Sequence, residues 1–256
     1  MLGHIRIHIG LPRTGTTSLQ SLFRTEYLEA YVGKGLPTII KNGYVGREYY
    51  LLKQYLTGEI GNLPIINYEA NFTISDEAIL HPYGLEIDDL ISRLSKIPCR
   101  VSILITIRNQ NDWLKSWSDC ELGSAGRAQG FFMTRKHLRQ ITNYDYLWGK
   151  FSHLQNLHKL YFLPLESFSV FPLEAVKEIH QFMGTNELRN FEIPSLNSSI
   201  SRKFLASKKN VFANKLKTLP FIPFNKYCYL RNVAKSNSQF QMHCKFDLKK
   251  MGYILQ

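Results

Sequence analysis

The chain has 256 residues, enough for one large or two small domains and for a core that needs no disulfide or metal staples. Hydrophobic residues make up 44% and charged residues 20%, which excludes a disordered or fibrous chain. The formal charge of +12 points to a polyanionic partner: nucleic acid, an acidic membrane, or a ligand bearing phosphate or sulfate. Cys99, Cys120, Cys228 and Cys244 form no C-x-x-C pair and lie near no histidine at a zinc spacing, so reduced, mostly buried thiols in a reducing compartment are expected, and no metal. No apolar run reaches the ~18 residues of a membrane helix, and the N-terminus lacks a signal-peptide layout, so a cytoplasmic location is expected.

In chain order, Ile5-Arg6-Ile7-His8-Ile9 reads as a first strand running on to Leu11-Pro12, and Arg13-Thr14-Gly15-Thr16-Thr17 as a tight loop. A helical pattern begins at Ser18-Leu19. Residues 47–57 carry a helical stripe of Tyr50, Leu51, Gln54 and Tyr55. Leu63-Pro64-Ile65-Ile66-Asn67-Tyr68 reads as a short strand, and residues 86–95 as a helix with Ile87, Leu90, Ile91 and Leu94 on one face. From Cys99 to Ile107 the chain is apolar on both faces, as a central parallel strand must be. Helix is expected at Asp112–Cys120 and residues 144–156, strand at Leu160–Leu163, and helix from Ala175 to Met183 with Gly184 as its C-cap. Strands alternating with helices indicate an α/β fold with a mainly parallel sheet. Past about Ser195 the pattern weakens and turns basic.

The segment Gly10-Leu11-Pro12-Arg13-Thr14-Gly15-Thr16-Thr17-Ser18 joins strand to helix, the context in which glycines and helix N–H groups hold a phosphate. The nucleoside-triphosphatase loop needs G-x-x-x-x-G-K-[ST], and Thr16 stands in the lysine position, which disfavours an ordinary kinase or ATPase. A simple Gly/Thr helix cap is the bland alternative. Leu11 to Leu19 resembles the 5′-phosphosulfate loop of the sulfotransferases that use 3′-phosphoadenosine-5′-phosphosulfate (PAPS), whose usual form is Pro-Lys-[Thr/Ser]-Gly-Thr-Thr; Arg13 departs from it. A second motif agrees. Arg108 ends the buried strand, Ser116 follows eight residues later, and Asp112 also fits, as in the family's 3′-phosphate motif. The resemblance spans residues 4–200, strongly at these two motifs and loosely at Tyr144–Gly184.

The resemblance implies a three-layer P-loop-like core over residues 1–200, with a central mainly parallel sheet flanked by helices. It implies sulfuryl transfer from PAPS to an acceptor hydroxyl, most naturally on a free, polymeric or lipid-linked glycan, without a metal. Cofactor contacts then fall to Pro12, Arg13, Thr14, Gly15, Thr16, Thr17, Ser18, Arg108 and Ser116. The late loop Asn197–Lys203 adds Ser199 and Arg202, or is only a polar loop. Arg13 in the lysine position stabilises charge on the bridging oxygen, or only binds phosphate. Glu69, after the strand at 65–68, is the expected general base, as in the glycan-modifying branch; the alternative is a carboxylate at a helix N-terminus. The phenol branch uses a histidine in this region, and no histidine occurs from 9 to 80.

From Arg202 to Gln256 there are 12 basic residues and one acid, Asp247, so this stretch carries +11 of the +12. Its aromatics (Phe204, Phe212, Phe221, Phe224, Tyr227, Tyr229, Phe240, Phe246, Tyr253) suit an acidic glycan, an anionic inner membrane face or single-stranded nucleic acid, or pack on the domain. Residues 201–256 therefore read as a basic extension on or next to the core, whose removal is expected to spare PAPS binding and harm acceptor use. Nucleic acid is not the expected partner. The competing reading is a non-catalytic polyanion binder on a degenerate P-loop-like fold, or a nucleotide-dependent phosphotransferase.

Overall fold

A computed structural model describes residues 4–11, 14–26, 31–32, 47–69, 71–80, 85–113, 140–184 and 226–256. Strands β1 (Ile5–Gly10), β2 (Tyr31–Val32), β3 (Phe72–Ser75), β4 (Ser102–Ile107) and β5 (Lys159–Pro164) form one sheet in the order β2-β3-β1-β4-β5. Every neighbouring pair is parallel, and Ile7 lies level with Ile74 on one side and Ile103 on the other. Parallel neighbours require crossovers. These carry α1 (Thr16–Glu26), α2 (Arg47–Thr57), α3 (Ile87–Ser95) and α4 (Tyr144–Ser152). After β5 come α5 (Ser167–Val170), α6 (Pro172–Met183) and, late in the chain, α7 (Lys226–Gln241). This is a three-layer α/β fold of P-loop-like topology. The chain leaves β1 toward one edge and β4 toward the other, so a crevice opens above the carboxyl ends of β1 and β4, where ligands bind in such sheets.

All residues of β1 and β4 are buried, which explains their apolar runs. Ile87, Leu90 and Leu94 bury the expected face of α3. Arg93 ties α3 to α2: its Nη1 donates to the carbonyls of Tyr55 and Ile60, both at 2.7 Å, and its guanidinium lies 4.8 Å from the centre of the Tyr55 ring. The Asn143 side chain caps α4 by accepting from the Tyr146 N–H. Gly184 closes α6 in the left-handed region at φ 72°, the expected C-cap.

One expectation needs correction. Residues 63–67 form no strand; the strand of this region is Phe72–Ser75. Pro64 has no N–H to give a ladder, and Ile65 is 99% exposed, whereas all four residues of β3 are buried. Part of the C-terminal stretch lies in the core. Phe240, Phe246, Leu248, Met251 and Tyr253 belong to the same core cluster as β1 and β4. Phe240 packs edge-on to Tyr144 at 6.0 Å, and Lys245 pairs with the nearly buried Glu178 of α6. Packing on the domain thus accounts for Phe240, Phe246 and Tyr253; Phe204, Phe212, Phe221, Phe224 and the side chains of Tyr227 and Tyr229 lie outside the described residues. Lys235, Lys249 and Lys250 are exposed. Cys99 and Cys244 are free thiols, the latter pushed up to about 11 by burial. Among the described residues no helix is long and apolar enough to cross a membrane.

Candidate functional site

The loop after β1 is shaped by two glycines. A Cβ on Gly10 would stand 2.0 Å from Cγ2 of Thr16 and 2.9 Å from Oγ1 of Thr106. Gly15 has φ +73°, and a Cβ there would stand 2.5 Å from Cδ1 of Leu165. The turn closes through the Thr14 N–H to the Leu11 carbonyl (3.1 Å), and α1 starts on the Gly15 carbonyl, which accepts from Ser18 and Leu19 at 3.0 and 3.1 Å. The first turn of α1 contains no acidic residue, so its positive dipole end is not neutralised from within the helix. Such an end draws an anion.

Beneath the loop runs a buried polar chain whose direction follows from one carbonyl. The Thr14 hydroxyl donates to the Leu11 carbonyl at 2.6 Å. Having spent its proton, Thr14 accepts from the Thr106 hydroxyl at 3.1 Å. Thr106 in turn accepts from Nε2–H of His8 (3.1 Å), and Nδ1 of His8 accepts from the Ser75 hydroxyl at 2.6 Å. His8 is therefore a neutral imidazole protonated on Nε2, and it couples the loop to the end of β3. It is fully buried, with the edge of Phe23 against it at 5.5 Å, and burial lowers its pKa to about 3.

That shift has a measurable consequence. Above pH 6.5 His8 is neutral folded and unfolded alike; between 6.5 and about 3 only the unfolded chain takes the proton. His8 alone is expected to lower stability by about 1.4 kcal/mol per pH unit through that window, read as a falling urea midpoint. His4, lowered to about 4, and His158 shift in the same direction, both chiefly through burial. His8→Gln keeps one donor and one acceptor without titrating, and should flatten the slope. An equally steep slope in that variant would contradict this account.

The carboxyl end of β3 carries two carboxylates. Asp76 is nearly buried and pairs with Lys53 of α2 at 2.7 Å, and it also accepts from the Ala78 N–H at 2.8 Å. Glu77 is half-buried and accepts from the Thr16 hydroxyl at 3.3 Å, beside the loop. Gln20 of α1 donates to the Ser75 carbonyl at 3.1 Å. Across the crevice, Arg108 follows β4 and is half-buried. The Tyr144 hydroxyl donates to its carbonyl. Asn109 caps the helical turn that starts at Gln110, its Oδ1 accepting from the Asn111 N–H at 3.0 Å. Glu166, after β5, accepts from the Asn109 N–H and the Tyr253 hydroxyl, both at 2.9 Å. Burial raises its pKa, against the opposing pull of the Asn109 amide, the Tyr253 hydroxyl and Arg108.

The structure thus brings Thr14, Gly15, Thr16, Ser18 and Arg108 to one edge of the sheet. Thr14 spends both its hydroxyl and its N–H on the Leu11 carbonyl, at 2.6 and 3.1 Å. The side chain of Thr17 lies outside the described residues, as do Pro12, Arg13, Ser116, Ser199 and Arg202. Glu69 is exposed, three residues before β3, at the amino edge of the sheet. The loop leaves the opposite edge, about 20 Å away along a strand rising ~3.3 Å per residue. Sequence reasoning gave no role to Glu77, Glu166 or His8. The signal for His8 was a polar side chain inside an isoleucine strand, and for Glu77 the alternating Phe72-Thr73-Ile74-Ser75 just before it. Among the described residues no group of three or more His, Cys, Asp or Glu is placed to hold a metal.

No protein-family model matches the chain, and no curated protein matches it. Among solved structures it is similar to the crystal structure of a sulfotransferase from Alicyclobacillus acidocaldarius, at a TM-score of 0.40 and 14% identity, covering 80% of this chain and 90% of that one.

Proposed function

We propose that this chain transfers a sulfuryl group from PAPS to a hydroxyl of a carbohydrate acceptor. The observation that carries the reading is the strand-to-helix loop after β1, with glycines at 10 and 15 packed against Thr16, Thr106 and Leu165, the N-terminus of α1 behind it, and a threonine where a triphosphatase needs lysine. Arg108 supports it, since it stands across the same crevice at the end of β4. In this reading the loop backbone with Thr16, Thr17 and Ser18 holds the 5′-phosphosulfate, and Arg13 offsets charge on the bridging oxygen. Arg108 and Ser116 take the 3′-phosphate, with Ser199 and Arg202 closing over it. Glu77, beside the loop, replaces Glu69 as the base that accepts the hydroxyl proton while the sulfur–oxygen bond to phosphate breaks. The exposed Lys235, Lys249 and Lys250 suit an acidic glycan or an anionic membrane surface.

The test is ligand-dependent stability followed by transfer. Adenosine 3′,5′-bisphosphate is expected to raise the melting midpoint and ATP is not, because only the bisphosphate carries the terminal phosphate for Arg108. Labelled sulfate should then pass from PAPS to a cell glycan fraction. Stabilisation by ATP alone would favour a phosphotransferase. No response to either nucleotide, with salt-sensitive RNA binding, would favour the polyanion binder.

A further inference from the structure

We propose that the C-terminal strap, Asn237 together with Gly252–Ile254, is a built part of the nucleotide site: it sets the backbone of the Arg108–Gln110 turn, so that Tyr253 and Asn237 are positioning residues for the terminal phosphate. This rests on the sulfate-donor reading, in which Arg108 meets that phosphate. The turn is held from several directions. The Asn109 Nδ2 donates to the Gly252 carbonyl at 2.6 Å, across a sequence separation of 143 residues. Tyr253 donates to Oε2 of Glu166, whose Oε1 accepts from the Asn109 N–H, both at 2.9 Å. Gln110 and Asn237 exchange a pair of amide hydrogen bonds at 2.6 and 3.2 Å, and Asn237 donates onward to the Ile254 carbonyl at 3.0 Å. Tyr144, which holds the Arg108 carbonyl, sits between the rings of Phe240 and Tyr253 at 6.0 and 6.3 Å.

The strap is itself shaped to reach back. Gly252 adopts φ +81°, its N–H donates to the Lys249 carbonyl, and the Tyr253 N–H donates to the Leu248 carbonyl, both at 3.0 Å. Gln110 and Asn237 are 1% and 0% exposed, so a broken pairing leaves amides without water to replace it. An arginine loses rotamer freedom when it binds phosphate, and a fixed backbone limits how much more must be ordered. Among the described residues the hydrogen bonds of the strap run to the turn, so its effect is expected to fall on one phosphate of the two.

The test uses the full chain with Tyr253→Phe and, separately, Asn109→Ser, which keeps the cap of the turn but releases Gly252. Calorimetry compares adenosine 3′,5′-bisphosphate with adenosine 5′-phosphate. Each variant is expected to bind the bisphosphate about tenfold more weakly and the monophosphate within about twofold of wild type, because one positioning hydrogen bond is lost. Equal losses for both nucleotides would show a general structural role and overturn the proposal, as would unchanged binding of both. A wild-type protein that does not prefer the bisphosphate would overturn the sulfate-donor reading, and the strap's role with it. If one variant does not fold, the other carries the comparison.

Discussion

Deleting residues 247–256 is expected to unfold the protein. Leu248, Met251 and Tyr253 are 0%, 6% and 3% exposed in the common core. Truncating one buried large side chain typically costs about 2–5 kcal/mol, against a typical total stability of about 5–15 kcal/mol. The deletion also strands polar groups: the Asn109 amide loses the Gly252 carbonyl, Glu166 loses the Tyr253 hydroxyl, and Asn237 loses the Ile254 carbonyl. Asn109 and Asn237 are buried, and a buried polar group left without a partner costs more than the bond itself was worth. Circular dichroism with urea titration checks this. A truncated chain with the full-length midpoint would refute it. The result bears directly on the expectation that the basic extension is dispensable for the nucleotide. Its charge is surplus to the core, but its last aromatic and aliphatic residues are part of it.

Glu77→Gln is expected to lower turnover about 10²–10⁴-fold, the range of a general base, while leaving affinity for adenosine 3′,5′-bisphosphate nearly unchanged. Glu77 follows β3, the neighbour of β1, and its carboxylate touches Thr16 at the start of α1. Glutamine keeps the size and an acceptor oxygen for the threonine but cannot take a proton. Asp76, one residue earlier, is already committed to Lys53 and to the Ala78 N–H. Glu69→Gln serves as the control, with rates expected within about twofold of wild type, since Glu69 is exposed at the opposite edge of the sheet. A reversed pattern, with Glu69→Gln inactive and Glu77→Gln active, would sink the assignment.

The comparison of Glu69 with Glu77 shows where sequence reading reaches its limit. Leu63–Tyr68 is as apolar and β-branched as Phe72–Ser75, and periodicity cannot rank two short runs so close together. The choice between them depends on which run pairs with β1, a long-range contact with no local signature. The outcome puts Glu69 at one end of the sheet and Glu77, eight residues later, at the other. The longer elements were legible because their patterns are enforced locally. β4 is buried on both faces, α3 shows a clean helical stripe, and α6 ends at a glycine in the left-handed region.

The amino-acid sequence alone determined the α/β class, the glycine-bearing strand-to-helix loop after β1, and the placement of Arg108 at the end of a buried strand. These are short-range features: a glycine spacing, a strand-to-helix transition, an apolar run that ends in a cation. Tertiary structure decided the remainder. It placed Glu77 rather than Glu69 beside the loop and made His8 a neutral link between Thr106 and Ser75. It also turned the end of a basic tail into the brace of the Arg108 turn. The physical reason is the same in each case. Burial and hydrogen-bond pairing between residues far apart in the chain set these roles, and no local pattern encodes which distant partner a side chain will meet.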